Sequence, residues 1–177
     1  MQILAISGSL RRGASNTVLL EAATRLAPAN IHIDLYDQLG ALPHFNPDFD
    51  APDGDSLPTI VADLRTRVGR ADGVLISCPE YAHGIPGSFK NLLDWLVGSI
   101  EFPCKPVALL NTSAMSVHAP AQLTEILRTM NARLITEAGA TIPIGRMTAA
   151  AVAEDPELST QLGSAISAFV REIRSAN

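Results

Sequence analysis

Apolar residues follow two different spacings along this chain. Short runs that are apolar at nearly every position, such as QILAIS at residues 2–7, are typical of strands covered on both faces of a sheet. Runs with apolar residues three or four positions apart, such as NTVLLEAATRLA at residues 16–27, are typical of amphipathic helices. The spacings predict strands within residues 2–7, 31–37, 73–78, 105–113 and 139–145, and helices within residues 16–27, 59–71, 79–100, 120–134 and 156–176.

The predicted strands and helices alternate along the chain. Because parallel strands need a crossover through a helix, this order predicts a parallel sheet with helices on both faces. We expect an α/β fold of flavodoxin-like type, a three-layer α/β/α sandwich whose five-stranded sheet has the order 2-1-3-4-5. The run at 31–37 alternates apolar with polar residues, which indicates an edge strand. Residues 42–58 are rich in proline and aspartate, which predicts a long surface loop.

Composition narrows the classes of function. The chain has 177 residues, of which 47% are hydrophobic and 18% charged, so we expect a single domain over 1–177. A net charge of −5 and scattered basic residues disfavour nucleic acid and anionic membranes as partners. The chain begins with a strand pattern instead of a secretion signal, and Cys78 and Cys104 form no C-x-x-C pair. These features predict a cytoplasmic protein without a metal site.

The loop after the first predicted strand reads GSLRRGASNT, at residues 8–17. It is not a dinucleotide-binding fingerprint, because Leu10 stands at the second glycine position, and not a P-loop, because Ala14 stands at the lysine position. Its hydroxyl, amide and guanidinium groups precede a helix N-terminus, where backbone N–H groups favour an anion. The loop therefore predicts a monophosphate site. The alternative is that Ser15 or Asn16 caps the helix and the arginines are solvated.

A second motif, PEYAHGIPGSFKNLLDWL, begins at residue 79 after the third predicted strand. Together with GSLRRGASN it resembles the NADPH-dependent FMN reductase family, the flavodoxin-like quinone, chromate and azo-dye reductases. The family pattern has Asn where this chain has Ala82. It also usually has a pair of glycines in the loop after the fourth strand, where this chain reads HAPA at residues 118–121.

The resemblance implies FMN as the cofactor and NADPH or NADH as co-substrate. The implied cofactor-binding residues hold the phosphate, line the isoalloxazine mostly through backbone groups, or approach its far edge. In that order they are Ser9, Arg11, Ser15, Asn16 and Thr17, then Pro79, Glu80, Tyr81, Ala82, His83 and Gly84, then Ser113. No catalytic side chain is expected, because the flavin carries the chemistry. Apolar spacing places Phe89, Leu92, Leu93 and Trp95 in the core, and Lys90 with Asp94 in a surface pair.

The expected function is that of an FMN-dependent NAD(P)H oxidoreductase, which reduces quinones, azo compounds, metal oxyanions or free flavin by ping-pong hydride transfer. The resemblance also implies a homodimer or homotetramer, with Tyr81, His83 and the 42–58 loop as candidate contact surface. Two alternatives remain. One is a flavodoxin-type electron carrier, whose phosphate loop usually lacks arginine, and the other is a non-catalytic relative with impaired flavin binding.

Overall fold

The computed structural model describes residues 1–50 and 57–175. Its strands are β1 Gln2–Ser7, β2 His32–Tyr36, β3 Gly73–Ser77, β4 Pro106–Asn111, β5 Arg133–Leu134 and β6 Ala140–Thr141. Its helices are α1 Ser15–Leu26, α2 Thr59–Arg70, α3 Gly87–Val97, α4 His118–Thr129, α5 Ala149–Glu154 and α6 Pro156–Ser175. Short 3₁₀ turns lie at Leu39–Ala41, Pro47–Phe49 and Thr136–Ala138. Within the described ranges, no helix is long and apolar enough to cross a membrane.

The strands form one parallel sheet in the order β2-β1-β3-β4-β5, with β6 also paired to β4. This confirms the predicted order 2-1-3-4-5 and the flavodoxin-like arrangement. It also confirms β2 as an edge strand, which explains why its sequence alternates while β1 and β3 are almost fully apolar. Since the order reverses between β1 and β3, the loops after these two strands open at the same edge of the sheet.

Alternate residues of the central strands feed two separate cores. Ile3 and Ala5 of β1 pack with residues of α1, α5 and α6 on one face of the sheet. Leu4 and Ile6 of the same strand pack with residues of α2, α3 and α4 on the other face. The second core includes the predicted core residues of α3, which are Phe89, Leu92, Leu93 and Trp95. The three layers therefore follow directly from the two-residue period of the strands.

The predicted fifth strand within residues 139–145 is confirmed only at Ala140–Thr141, which form β6, and it is not the single strand beside β4. Two short strands pair with β4. Its residues Pro106 and Val107 pair with β5, and its residues Leu110 and Asn111 pair with β6. The turn Thr136–Ala138 lies between β5 and β6 along the chain. Residues 133–134, which the spacing placed at the end of a helix, form β5. α5 was not predicted. Its N-terminus is capped by the Thr148 hydroxyl, which accepts a hydrogen bond from the Ala151 N–H.

Part of the predicted 42–58 loop is anchored to α3, while residues 51–56 lie outside the described ranges. The Pro43 carbonyl accepts hydrogen bonds from Asn91 Nδ2 at 2.9 Å and from Trp95 Nε1 at 2.8 Å. Asn91 Oδ1 accepts a bond from the Phe45 N–H at 2.7 Å, and the Phe45 ring packs edge-on against Trp95. The Asn and Trp of the motif KNLLDW thus hold the loop, while its Lys90 and Asp94 form the predicted ion pair.

Candidate functional site

The loops after β1, β3 and β4 meet at the carboxyl edge of the sheet. The first two approach each other most closely at Gly8, whose N–H donates to the Ser77 carbonyl at 2.8 Å. A Cβ at Gly8 would lie 2.7 Å from Cys78 Sγ, a separation too short for any side chain there. Burial raises the pKa of the Cys78 thiol to about 12, so at neutral pH it is a packing residue and not a nucleophile.

The first loop leads into α1 without a side-chain cap. Ala14 occupies the N-cap position and no side chain bonds to the first turn, so the alternative in which Ser15 or Asn16 caps the helix is wrong. The Ser15 hydroxyl donates to the Gly145 carbonyl at 3.0 Å. Asn16 is buried, and its Nδ2 donates to Ser77 Oγ at 3.0 Å. The Thr17 hydroxyl donates to Ser7 Oγ at 2.8 Å, so these three side chains hold the loop against the sheet.

The backbone of this helix start is therefore available to a ligand. Among residues 1–50 and 57–175, no acceptor forms a hydrogen bond with the N–H groups of Ser15, Asn16 and Thr17. Arg11 is exposed at the mouth of the loop, and its own N–H donates to Ser9 Oγ at 3.3 Å. Unpaired N–H groups, the positive end of the helix dipole and a nearby guanidinium together form an anion-binding arrangement.

The second loop ends in a tight turn from Tyr81 to Gly84. Tyr81 and Gly84 exchange backbone hydrogen bonds of 2.9 and 3.0 Å, and the two residues between them have positive φ, 49° at Ala82 and 59° at His83. Positive φ at both central positions defines a type I′ turn. The N–H groups of Ala82 and His83 have no acceptor in the described part of the chain, and they lie at the tip of the turn.

Glu80 links the second loop to α4. Its Oε2 accepts hydrogen bonds from the N–H groups of His118 and Ala119, at 2.8 and 2.9 Å. The bond from Ala119, opposed by partial desolvation and joined by the bond from His118, holds the pKa of the Glu80 carboxyl below its usual range. The carboxylate is thus an N-terminal cap supplied from a distant loop.

This contact changes the assignment of the third loop. Residues 118–121, predicted to continue the loop after β4, form the first turn of α4, which begins at His118 and not at Pro120. The loop proper is shorter and contains Ser113, whose hydroxyl accepts a hydrogen bond from the Met115 N–H at 3.2 Å. Asn111 Nδ2 donates to the Ser113 carbonyl at 2.7 Å and keeps this turn compact.

Two side chains at the start of α4 face the second loop. The imidazole rings of His118 and His83 are stacked, with centroids 4.1 Å apart and planes inclined by 25°. Gln122, one helical turn after His118, accepts a hydrogen bond from the Ile85 N–H through Oε1 at 2.8 Å. Sequence reasoning missed Gln122. The spacing of four residues would have identified it only if the helix had been started at His118.

Comparison with known proteins agrees with this arrangement. The family model described as NADPH-dependent FMN reductase matches residues 1–145. A quinone reductase of Escherichia coli (strain K12) is 33% identical over 130 residues, which are 72% of this chain and 68% of that protein. An NAD(P)H-dependent FMN reductase of Pseudomonas aeruginosa is 36% identical over 116 residues, 64% of this chain and 60% of that protein.

A solved structure is similar over nearly the whole chain. FerB, a flavoenzyme NAD(P)H:(acceptor) oxidoreductase from Paracoccus denitrificans, superimposes with a TM-score of 0.83 at 27% sequence identity, covering 98% of this chain and 97% of that one. The match to the family extends from β1 beyond β6 and includes all three loops of the site. The chain therefore belongs to the NADPH-dependent FMN reductase family.

Proposed function

We propose that this protein is an FMN-dependent NAD(P)H oxidoreductase that reduces quinones, azo compounds, metal oxyanions or free flavin by ping-pong hydride transfer. The observation that carries the proposal is the uncapped N-terminus of α1 at the switch point of the sheet. A helix N-terminus without a side-chain cap leaves these N–H groups to a ligand or to water, and in α1 they lie at the mouth of the site.

The phosphate of FMN fits the first loop. The backbone N–H groups of Ser15, Asn16 and Thr17 would hold its oxygens, with Ser9 Oγ and the Arg11 guanidinium on the open side. The side chains of Asn16 and Thr17 bond to the serines of β3 and β1, so we assign them to fixing the loop and not to contacting the phosphate. All the residues predicted for the phosphate site thus keep a role there, some by contacting the phosphate and others by holding the loop in place.

The isoalloxazine fits the second loop. The N–H groups of Ala82 and His83 at the tip of the turn would bind polar atoms of the ring, with Pro79, Glu80, Tyr81 and Gly84 shaping the edge beside it. Ser113 would approach the ring from the third loop. The chemistry that FMN would supply at this site is hydride transfer from NAD(P)H and two-electron reduction of the acceptor. Donor and acceptor would share this one site and therefore use it in turn.

The proposal is tested by the visible spectrum of the purified protein with added FMN, before and after anaerobic NADPH. We expect flavin bands that bleach with NADPH, and steady NADPH oxidation when a quinone is present. A protein that binds FMN without oxidising NADPH would be an electron carrier, and one that takes up no FMN would be the non-catalytic relative. Either outcome overturns the proposal.

Residue assignments are tested by FMN affinity, measured through quenching of flavin fluorescence. Arg11→Ala removes a charge-assisted hydrogen bond to the phosphate, which is worth about 1.5 to 3 kcal/mol, so we expect FMN to bind at least about tenfold more weakly. Arg25→Ala is the matched control, since Arg25 is an exposed arginine in the last turn of the same helix. Equal FMN affinities for the two variants would contradict the role of Arg11.

We also propose that residues 1–177 act as one domain, that the protein is cytoplasmic, and that it forms a homodimer or homotetramer through the rim of the site. Large apolar side chains exposed on the three loops support the last point: Leu10, Tyr81, Met115 and Val117. Two unpaired cysteines support a reducing compartment. Light scattering of the eluted protein tests the oligomer, and a monomer at micromolar concentration would exclude it.

A further inference from the structure

Three potential metal ligands converge at the rim of the site. Glu80 and His83 come from the loop after β3, and His118 is the first residue of α4. One ligand atom of each lies within 4.8 Å of the others. Within residues 1–50 and 57–175 this is the only group of three or more such side chains close enough to share an ion.

We propose that Glu80, His83 and His118 form a binding site for a divalent transition-metal ion of the Zn²⁺ class. Two imidazoles and one carboxylate are the ligand set that such ions prefer over Mg²⁺ or Ca²⁺, which take oxygen ligands. Three protein ligands would leave at least one coordination position to water. The site adjoins the edge at which Glu80 and His83 would line the isoalloxazine, and its proposal does not depend on FMN being bound.

The capping interaction already orients the carboxylate. Glu80 Oε2 is held by the N–H groups of His118 and Ala119, and Oε1 has no hydrogen-bond partner in the described part of the chain. Backbone donors of this kind are the outer contacts that fix a ligating carboxylate. The negative charge also offsets the positive end of the α4 dipole, which would otherwise disfavour a cation at this position.

The two histidines are exposed and lie close enough together for one ion to join them after a small side-chain movement. Ligand atoms around a tetrahedral zinc ion are about 3.3 Å apart, so the group needs to contract by no more than about 1.5 Å. A metal ion lies in the plane of each imidazole that binds it, so the stacked pair has to open. Both side chains are exposed, so each ring has solvent on at least one side.

The cap and the turn do not by themselves account for the histidines. Glu80 caps α4 through backbone N–H groups, which any residue other than proline supplies at position 118. The turn places His83 at a φ of 59°, a conformation that Gly and Asn favour and that histidine tolerates, so the turn permits His83 without requiring it. A shared ion explains both positions at once. It also gives a function to the His118 side chain, whose backbone alone takes part in the cap.

The test is calorimetric titration of the tag-free, chelator-treated protein with Zn²⁺, with and without FMN. We expect one Zn²⁺ per chain, and affinity at least tenfold lower in His83→Ala, in His118→Ala and in Glu80→Gln, which keeps an acceptor for the cap. His32→Ala and His44→Ala are the matched controls, because these exposed residues are the two other histidines of the chain. We expect both controls to bind like the wild type.

Electron paramagnetic resonance with Cu²⁺ as probe counts the imidazoles directly. We expect hyperfine coupling to two ring nitrogens in the wild type and to one in each of His83→Ala and His118→Ala. Unchanged Zn²⁺ affinity in those two variants, equal losses in the control variants, or the absence of a stoichiometric Zn²⁺ site in the wild type would overturn the proposal. None of these outcomes depends on NADPH oxidation, so failure here is separate from failure of the proposed function.

Discussion

Ala82 adopts a backbone conformation that disfavours its side chain. Its φ of 49° lies in the left-handed region, where a Cβ costs roughly 1 kcal/mol or more and where Gly and Asn are preferred. The Asn that the family pattern carries at this position is therefore explained by the type I′ turn itself. The departure at Ala82 alters the free energy of the turn, while its N–H remains at the tip to meet a ligand.

Replacing Ala82 by Gly should stabilise the protein. Relief of the left-handed strain outweighs the added freedom of the unfolded chain, so we expect Ala82→Gly to raise the free energy of unfolding by about 0.5 to 1 kcal/mol in urea titrations. Ala121→Gly is the control, because Ala121 is exposed in α4, where glycine should lower the free energy of unfolding by about 0.5 to 1 kcal/mol. The same sign for both variants would contradict the strain at Ala82.

At the scale of elements, α3 and the loop that contains Pro43 and Phe45 stabilise each other. Asn91 makes two hydrogen bonds to the loop, and a net contribution of about 1 kcal/mol each predicts a loss of about 1 to 2 kcal/mol in Asn91→Ala. Urea unfolding of Asn91→Ala and of Lys90→Ala measures the difference. Lys90 belongs to an exposed ion pair worth only about 0.3 to 0.5 kcal/mol. Comparable losses of unfolding free energy in the two variants would show that the hydrogen bonds of Asn91 to the loop contribute little to stability.

The elements also show how far sequence reasoning reaches. β1 and β3 are continuous apolar runs and α1 has helical spacing, so each was predicted from its own residues. β5 and β6 have two residues each, too few to show any period, and Pro143 lacks the N–H that a longer β6 would need.

The candidate site, too, could be predicted only where local sequence patterns determine it. The strand order predicted which loops meet, because the carboxyl ends of neighbouring parallel strands share one edge. The start of α4 was missed because its cap, Glu80, lies 38 residues earlier in the chain than His118. The stacked histidines depend on that start, so the sequence alone did not bring His83 and His118 together. Contacts between distant loops are set by the packed fold and not by local spacing.

On the scale of the whole molecule, buried acids make stability fall at alkaline pH. Burial raises the pKa of Tyr36 from 10.0 to about 12, with the nearby Arg67 opposing the shift, and burial alone raises that of Cys78 from 9.0 to about 12. At a pH between the ordinary pKa and the raised pKa, each of these two side chains is deprotonated in the unfolded chain and still protonated in the native state. The unfolded state then binds fewer protons than the native state, so the free energy of unfolding decreases as pH rises from about 9 towards 12.

Tyr36→Phe isolates the tyrosine part of this effect. The Tyr36 hydroxyl is buried and has no hydrogen-bond partner among the described residues, so its removal leaves no new unpaired group. We expect the variant to be at least as stable as the wild type at pH 7, and to lose stability less steeply between pH 10 and 12 in urea titrations. Tyr81→Phe is the control, because Tyr81 is the other tyrosine and is 54% exposed, so its pH profile should match the wild type. Identical slopes for Tyr36→Phe and Tyr81→Phe would mean that the Tyr36 hydroxyl is solvated and that the alkaline loss arises elsewhere.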